Sequence, residues 1–460
     1  YLAFAGGKVE PGDERIPLAD GLDTETPELL GCAVRELFEE TGILALRGAT
    51  TAGDELKKLR LRLPGDAGAE RFFSAMRESG ARLEPGTFQE AIRLVTPRFS
   101  KRRYSSTFFL LETGDEPEIL PGELAAGGWW APSDALEKWR LGELLLAPPV
   151  IVILRQLENG IGPGTLESLR SSPETFEGSG LAIPWGPGIE LLPFHCPPLP
   201  VTLPSSTFLA GARRFVIIDP APTGKKEQEH LLAAIENRIA GGDRPEAIVL
   251  SHHHIDHVGA VNAVQERWSL PCWGHRRTAE LLERSFDREL DEGDLIDLGD
   301  SPAGAAGWKL RCLFTPGHAE GHLAFFDERH RALLAGDLVS TLVSMYVGTP
   351  GGHLETYFRS LEKIRSLDIR LLYPSHGMPT LDARGLIDRT IEHRKKRIGQ
   401  VLRKLEKGFH SVEEIAGEVY RDKADSRLRP LYERTTRAAL EYLVEHEQAG
   451  KVAEDLYETG

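Results

Sequence analysis

Short apolar runs bounded by polar or glycine residues recur along the second half of the chain. Three of them, 247–250, 332–335 and 369–372, are each four residues long, and the last includes one charged residue, Arg370. Runs of this length between turn residues are typical of buried strands. Each run is soon followed by a side chain that can bind a metal ion: His252, Asp337 and His376. The pattern predicts separate strands of a sheet that deliver these side chains to one edge.

The densest group of such side chains lies directly after the first run. Its members have the spacing His-x-His-x-Asp-His and are His252, His254, Asp256 and His257. Imidazole and carboxylate ligands together suit Zn²⁺, Mn²⁺ or Fe. A solvated or tag-like histidine cluster is the alternative, but a tag would lie at a terminus and contain no interleaved aspartate. We therefore interpret this segment as a transition-metal site.

A further histidine, His318, follows the tight turn Thr315-Pro-Gly. Together with the three runs, this turn resembles the metallo-β-lactamase superfamily over residues 188–394, which implies an αββα sandwich. The resemblance also implies the ligands of two ions. The first ion would be bound by His252, His254 and His318, the second by Asp256, His257 and His376, with Asp337 bridging both.

The expected ligand set predicts a hydrolase with a bridging hydroxide. Three histidines leave one position of a tetrahedral ion open for water, and a second ion ~3.5–4 Å away stabilises hydroxide near neutral pH. Such a hydroxide attacks an acyl or phosphoryl centre, and Asp256 is the expected catalytic carboxylate. His322 either orients a ligand or satisfies a local hydrogen bond.

A second motif opens the chain. The turn Gly6–Asp13 precedes the segment Arg35–Ile43, in which three carboxylates share one face of a predicted helix. These carboxylates belong to Glu36, Glu39 and Glu40. Mg²⁺ or Mn²⁺ with a bound diphosphate would offset their repulsion, and a solvated acidic face is the alternative. Arg35 should orient a neighbouring carboxylate, and Gly42 should end the helix.

Together these segments resemble the Nudix box, and the resemblance extends to about residue 160 through Arg98-Phe99, 105–111 and 128–130. It implies an α/β/α domain similar to coenzyme A diphosphatases, with Glu39 and Glu40 as catalytic residues. Asp13 stands where the box has Glu, and the gap to Arg35 is long, so we expect a surface loop from Asp20 to Leu30. The chain begins at Tyr1, inside an expected strand, so we expect further residues upstream.

The carboxyl-terminal tail predicts a long basic helix from Asp388, then a helix opened by a capping box at Ser411–Glu414. An apolar helix at 438–444 and a strand at 451–453 complete a winged-helix pattern. With the preceding domain, this tail resembles the β-lactamase-like protein 2 family of single-strand endoribonucleases. Its candidate RNA contacts are Arg394, Lys395, Lys396 and Arg397. The alternatives are a solvated helix and a tail that only packs or forms a homodimer.

Composition bounds these expectations. The 460 residues have room for about three domains, so we expect a multidomain α/β and α+β chain. The divisions are a Nudix-like domain at 1–160, a linker at 161–187, the sandwich at 188–394 and the winged helix at 395–460. A net charge of −15 confines any RNA contact to a local basic surface. Four scattered cysteines suit the cytoplasm, and no run approaches the ~18 apolar residues of a membrane span.

Two questions about activity stay open. The dinuclear site could cleave phosphodiesters in RNA, or thioesters as in hydroxyacylglutathione hydrolases. Only 39 residues (376 − 337) separate Asp337 from His376, which is too short for the nucleic-acid clamp domain of one nuclease branch. The Nudix-like part could hydrolyse a diphosphate such as coenzyme A, or serve as a non-catalytic binding or dimerisation module.

Overall fold

The computed structural model divides the chain into two compact units. The first comprises 1–95, 104–138 and 144–174, and the second comprises 96–103, 139–143 and 175–460. No described helix combines the length and the apolar character that a bilayer crossing needs. The residues that the structure describes are 2–22, 24–51, 53–65, 67–97, 100, 102–120, 124–162, 164–176, 179–196, 204–422 and 425–460.

The first unit consists of helices around a small hairpin. Its elements are α1 (Pro27–Thr41), α2 (Gly53–Arg60), α3 (Gly68–Glu78), β1 (Gln89–Val95), β2 (Ser105–Leu110), α4 (Pro132–Arg140), α5 (Pro148–Leu157) and α6 (Thr165–Arg170). Strands β1 and β2 pair antiparallel, and their two-stranded sheet is smaller than the sheet that a Nudix α/β/α domain implies. The quoted Arg98-Phe99 pair lies outside the described residues.

Helix α1 carries the predicted acidic face. It begins at Pro27, so the loop expected at 20–30 gives way to helix within that range, because proline favours the first helical positions. It ends at Gly42, whose φ of 76° is the left-handed conformation that glycine adopts readily, as predicted. The unit's core packs α1 against α3 through apolar side chains such as Val34, Phe38 and Phe72.

The second unit contains two sheets. A seven-stranded sheet has the order β3-β4-β5-β6-β7-β8-β9, and a five-stranded sheet has the order β10-β11-β12-β13-β14. The strands of the first sheet are β3 (Ile183–Gly186), β4 (Ile189–His195), β5 (Pro204–Gly211), β6 (Arg214–Ile218), β7 (Arg244–Leu250), β8 (Cys272–Gly274) and β9 (Arg288–Glu289). Those of the second are β10 (Leu295–Gly299), β11 (Trp308–Phe314), β12 (Leu323–Asp327), β13 (Ala332–Gly336) and β14 (Leu371–Pro374).

Helices cover the outer face of each sheet. Along β7, Ala247 and Val249 enter the core between the sheets, whereas Ile248 and Leu250 pack on the helical side. Both faces of this strand are therefore buried, which explains its uninterrupted apolar run. The helices are α7 (Lys225–Ala240), α8 (Ile255–Val258), α9 (Val261–Trp268), α10 (Arg276–Leu281), α11 (Leu354–Arg365), α12 (Ala383–Leu405), α13 (Val412–Val419) and α14 (Arg429–Glu445). The αββα sandwich is confirmed.

The carboxyl-terminal segment consists of helices followed by a two-stranded hairpin. The capping box at Ser411 and Glu414 opens α13, and a hairpin of β15 (Ala449–Ala453) and β16 (Leu456–Thr459) follows α14. The boundary expected after residue 394 lies inside α12, a single helix of 23 residues. Its apolar side chains belong to the same core cluster as the second sheet, so 395–460 is continuous with the sandwich. The expected linker, 161–187, contains α6 and β3.

Candidate metal centre

The carboxyl ends of five strands meet at one edge of the sandwich. His252 to His257 follow β7, His318 follows β11, Asp337 follows β13 and His376 follows β14. Asp219 follows β6 at the same edge. Main-chain hydrogen bonds join the two sheets here, from Leu323 N to Ser251 O and from Ser206 N to Ser375 O, both 2.9 Å long. The fold therefore brings together side chains that are more than a hundred residues apart in sequence.

Two groups of ligand atoms face each other across one carboxylate. We call His252, His254, His318 and Asp337 the first cluster, and Asp256, His257 and His376 the second cluster. Asp337 Oδ2 lies 3.3 Å from His318 Nε2 in the first cluster. Asp337 Oδ1 lies 3.5 Å from His257 Nε2 and 3.3 Å from His376 Nε2 in the second. The two oxygens thus point toward different groups, as a bridging carboxylate requires.

The spacing of these atoms fits metal ions. His254 Nδ1 lies 3.0 Å from both His252 Nε2 and His318 Nε2. Zn–N bonds of about 2.0–2.1 Å place neighbouring ligands of a tetrahedral ion about 3.3–3.4 Å apart. In the second cluster, Asp256 Oδ2 lies 3.6 Å from His376 Nε2. His257 Nε2 and Asp337 Oδ1 are buried without a hydrogen-bond partner, which a bound cation would supply.

Four of the imidazoles are oriented from behind by hydrogen bonds at Nδ1. His318 donates to the carbonyl of Tyr346 (2.6 Å), His376 to that of Pro204 (3.0 Å) and His257 to Asp219 Oδ2 (2.9 Å). These bonds leave Nε2 free to face the cluster. His252 is held in the same way, because its Nδ1 lies 2.9 Å from Ser251 Oγ.

Asp219 is a functional residue that the sequence analysis missed. Its carboxylate is buried and accepts hydrogen bonds from Ser251 N, Ser251 Oγ and His257 Nδ1. It therefore lies behind the ligands, and it holds His257 directly and His252 through Ser251. Its φ of 51° is uncommon for aspartate, and these three hydrogen bonds stabilise that conformation. The signal was present, since Asp219 follows the apolar run 215–218 just as Asp337 follows its own run.

Burial and nearby charges shift the pKa values of the histidines in different directions in the two clusters. Burial lowers the pKa of His254 to about 4 and holds the pKa values of His252 and His318 well below their usual range. Burial acts the same way on His257, but the carboxylates of Asp337, Asp256 and Asp219 outweigh it and raise its pKa. The first cluster therefore offers neutral imidazoles, whereas the carboxylates around the second attract positive charge.

His322 proves to be a support for the bridging residue. Its Nε2 accepts a hydrogen bond from the backbone N–H of Asp337 at 3.0 Å, and its Nδ1 lies 2.9 Å from Thr315 Oγ1. Burial lowers the pKa of His322 to about 3, so it stays neutral. Gly336 makes this contact feasible, because a Cβ there would lie 2.4 Å from His322 Nε2. His253 lies outside both clusters.

The predicted Nudix residues gather around a buried ion pair. Arg35 Nε and Nη2 donate to the two carboxylate oxygens of Asp13 at 2.8 and 3.0 Å. Arg35 Nη1 also lies 2.8 Å from Glu36 Oε1 and 3.5 Å from Glu39 Oε2, so Arg35 orients neighbouring carboxylates as predicted. Glu40 accepts a hydrogen bond from Gly6 N. Among the described residues of this unit, no three ligand atoms lie close enough together to form a metal cluster.

The candidate RNA contacts on α12 divide into two kinds. Lys395 and Lys396 are exposed. Arg394 is only 4% exposed, because the helical period places it on the buried face between Ile391 and Ile398, and its guanidinium lies 5.7 Å from the ring centroid of Tyr357. The prediction that Arg394 contacts RNA from the helix surface is therefore wrong.

Arg397 is engaged within the protein. Its guanidinium lies over the Tyr420 ring, 4.4 Å from the centroid, and it donates to Gln400 Oε1. The side chain is half-buried, so part of it reaches the surface beside Lys396.

The sandwich is similar to known proteins in sequence and in fold. The model of the metallo-beta-lactamase superfamily matches residues 199–376. A beta-lactamase-like protein 2 homolog of Caenorhabditis elegans is 28% identical over 235 residues, which cover 49% of this chain and 74% of that protein. A hydroxyacylglutathione hydrolase of Bdellovibrio bacteriovorus is 29% identical over 133 residues, 28% of this chain and 48% of that protein. A solved beta-lactamase domain protein from Burkholderia ambifaria has a TM-score of 0.53 at 20% identity and covers 62% of this chain and 95% of its own.

Proposed function

We propose that this chain, whose residues 199–376 match the model of the metallo-beta-lactamase superfamily, is a metal-dependent hydrolase that cleaves phosphodiesters in single-stranded RNA. The observation that carries the proposal is the Asp337 carboxylate, whose two oxygens face two separate ligand clusters. Two cations held there would activate a water molecule and neutralise the negative charge that develops on the attacked phosphoryl group. We propose two Zn²⁺ ions, with Mn²⁺ or Fe as the alternatives, since the donors are imidazoles and carboxylates.

The chain's own residues prepare this site in three ways. Neutral imidazoles in the first cluster present lone pairs to a cation. Hydrogen bonds at Nδ1 hold His257 and His376 in the tautomer that leaves Nε2 available. Ser205 Oγ donates to Asp256 Oδ2 at 2.7 Å, which fixes the carboxylate proposed to act in catalysis. The ligands are therefore preorganised, and little ordering remains to be done when the ions bind.

Two features favour RNA as the substrate. Only a loop, α11 and β14 separate Asp337 from His376, which leaves the simpler endoribonuclease branch, without an inserted clamp domain, as the nuclease type that fits this chain. Lys395 and Lys396 present exposed positive charge on α12, in a chain whose net charge is −15. We propose that these two lysines, with the exposed part of Arg397, contact the phosphate backbone.

The test is a substrate panel with the purified full chain loaded with Zn²⁺ or Mn²⁺. We expect cleavage of a single-stranded RNA oligomer, and we expect His254→Ala and Asp256→Ala to lose both metal and activity. Matched variants at Lys395 and Lys396 should raise KM for RNA with little change in kcat. Retention of stoichiometric metal in His254→Ala would show that the ligands are misassigned.

The second candidate function is thioester hydrolysis. It is favoured by the 29% identity to a hydroxyacylglutathione hydrolase, although the matched region spans about half of that relative. The same panel decides between the two, because acyl-thioesters are assayed beside RNA. Turnover of thioesters without cleavage of RNA would reject the nuclease proposal.

For the first unit, we propose a Nudix-like domain that hydrolyses a diphosphate such as coenzyme A with Mg²⁺ or Mn²⁺. The helical array of Glu36, Glu39 and Glu40 beside the Gly6-Gly7 turn supports this proposal. Burial raises the pKa of Glu36, which suits a carboxylate whose charge a cation would balance. The competing proposal is a non-catalytic binding or dimerisation module. It is supported by Asp13, whose carboxylate is fully engaged by Arg35.

Hydrolysis of coenzyme A and nucleoside diphosphates by the full chain distinguishes these proposals. Turnover abolished in a Glu39→Gln, Glu40→Gln double variant would reject the scaffold, and absence of turnover with intact folding would support it. We also propose that the protein acts in the cytoplasm, because its four cysteines are free and buried, and that it forms a homodimer. Sedimentation of the purified chain tests the dimer.

A further inference from the structure

One loop contacts a ligand from each cluster. Residues 340–353, here called the bridging loop, connect β13 to α11. The carbonyl of Tyr346 in this loop accepts the hydrogen bond of His318 Nδ1 at 2.6 Å. The carbonyl of His376 accepts hydrogen bonds from Ser340 Oγ at 2.9 Å and Thr341 N at 3.3 Å. The position of the bridging loop therefore sets the position of both histidines.

The far end of the loop reaches the same turn. His353 N donates to the carbonyl of Gly317, the residue before His318, at 2.8 Å. Gly317 is packed so closely that a Cβ there would lie 2.3 Å from Tyr357 N, and its φ is 126°. The turn that carries His318 is thus held between the bridging loop and α11, and Gly317 leaves no room there for a larger residue.

Helix α14 holds the bridging loop from the opposite side. Thr349 Oγ1 donates to Glu441 Oε2 at 2.6 Å, and Thr349 N donates to the carbonyl of Arg434 at 3.3 Å. His353 Nε2 lies 2.7 Å from Glu445 Oε1. Arg434, Glu441 and Glu445 are seven and four residues apart, so they lie along one stripe of the helix.

A separate stripe of α14 anchors the helix in the core. Ala439, Leu440 and Leu443 are buried in the cluster shared with the second sheet. Burial of the two leucine side chains stabilises the helix position more than a partly exposed polar contact does. The stripe of Arg434, Glu441 and Glu445 is thus not needed to keep α14 in place. Loss of its contacts should mainly affect the bridging loop.

We propose that Glu441 is a positioning residue for the metal centre. By accepting the hydrogen bond of Thr349, it holds the bridging loop in the place where the carbonyl of Tyr346 orients His318. This inference rests on the proposed metal-dependent function. Loss of the Glu441 contact removes one of the three contacts named above between α14 and the bridging loop. The loop then loosens near Thr349, and the hydrogen bond from His318 Nδ1 to Tyr346 lengthens. His318 then spends part of its time in orientations in which Nε2 faces away from the first cluster. Partners behind metal ligands of this kind typically change metal affinity by about 10–100-fold.

The experiment measures zinc affinity of the full chain by competition with a chromophoric chelator. We compare Glu441→Ala, the conservative Glu441→Gln, and Glu433→Ala as the matched control. Glu433 lies on the same helix, where it pairs with exposed Arg429. We expect Glu441→Ala to weaken zinc binding at the first cluster about tenfold, Glu441→Gln to recover most of that loss, and Glu433→Ala to match the wild type.

A second substitution separates positioning from folding. Thr349→Val removes the hydroxyl that donates to Glu441 and keeps the side-chain volume, so it should weaken zinc binding to a similar degree. The double variant Thr349→Val, Glu441→Ala should bind zinc no more weakly than either single variant, because the two substitutions remove the same hydrogen bond. Zinc affinity of Glu441→Ala within twofold of the control, or full additivity in the double variant, would overturn the proposal.

These readouts need no substrate. Wild-type protein that binds two zinc ions but cleaves neither RNA nor thioesters would refute the proposed function and leave the positioning role to be decided by the affinities. Where activity is present, kcat of Glu441→Ala should fall while KM changes less than twofold, since the contact orients a ligand and does not touch the substrate.

Discussion

The substitution Asp219→Asn tests whether the outer hydrogen bonds orient the ligands. Asp219 is buried, and its two oxygens accept from Ser251 N at 2.7 Å, Ser251 Oγ at 2.5 Å and His257 Nδ1 at 2.9 Å. Asparagine keeps the shape but replaces one acceptor oxygen with an NH₂ donor. If the amide oxygen stays with Ser251 N, the NH₂ group faces His257 Nδ1–H, and two donors then oppose each other.

His257 can relieve this conflict by moving its proton from Nδ1 to Nε2. The Nε2 atom is the one that faces the second cluster, 3.5 Å from Asp337 Oδ1, so protonation there blocks a cation. A hydrogen bond to a charged group contributes about 1.5–3 kcal/mol, and each 1.4 kcal/mol is tenfold in affinity. We therefore expect about 10–100-fold weaker binding of the second metal ion. Binding of the first ion should weaken less, because Asp219 reaches His252 only through Ser251.

The assay is zinc competition with a chelator, together with elemental analysis after dialysis. We expect stoichiometry to fall from two ions toward one, and ¹H–¹⁵N spectra of the imidazoles should show the changed tautomer of His257. Asp327→Asn is the matched control. Asp327 is also buried and pairs with a histidine, His330, at 2.6 Å, outside both clusters. Equal loss of zinc in the two variants, or no loss in Asp219→Asn, would refute the reasoning.

Three other outcomes follow from the same geometry. Asp337→Asn should lose activity by at least about a thousandfold and bind at most one ion tightly, because one bridging oxygen is replaced; two tightly bound ions would contradict this. Gly336→Ala should destabilise the fold by about 1–3 kcal/mol in thermal unfolding, since its Cβ would lie 2.4 Å from His322 Nε2. Gly304→Ala, where the Cβ meets open space, should cost about 1 kcal/mol. Chelation should lower the unfolding temperature of the wild type, and an unchanged temperature would show that the ions add no stability.

Much of the metal centre could be predicted because its ligands obey a local rule. Each one follows an apolar strand or a tight turn, and the carboxyl ends of such strands meet at one edge. Asp337 and His376 were found in this way, and Asp219 could have been. Helix α1 and its glycine stop were predicted for the same kind of reason, since capping and helical period depend on neighbours in sequence.

The amino-acid sequence alone indicates the chemistry, because it shows which residue types stand at the ends of apolar segments. On that basis His252, His254 and Asp256 are candidates for a metal site. Tertiary structure alone decided what lies behind them. The contact of Ser205 with Asp256 joins residues 51 positions apart, and that of His318 with Tyr346 joins residues 28 positions apart. A local sequence pattern therefore cannot predict either contact. The same holds for Arg394, whose burial depends on how α12 packs against the second sheet. Periodicity places a side chain on a face of its own element, but only the packing of elements decides which face meets protein and which meets solvent.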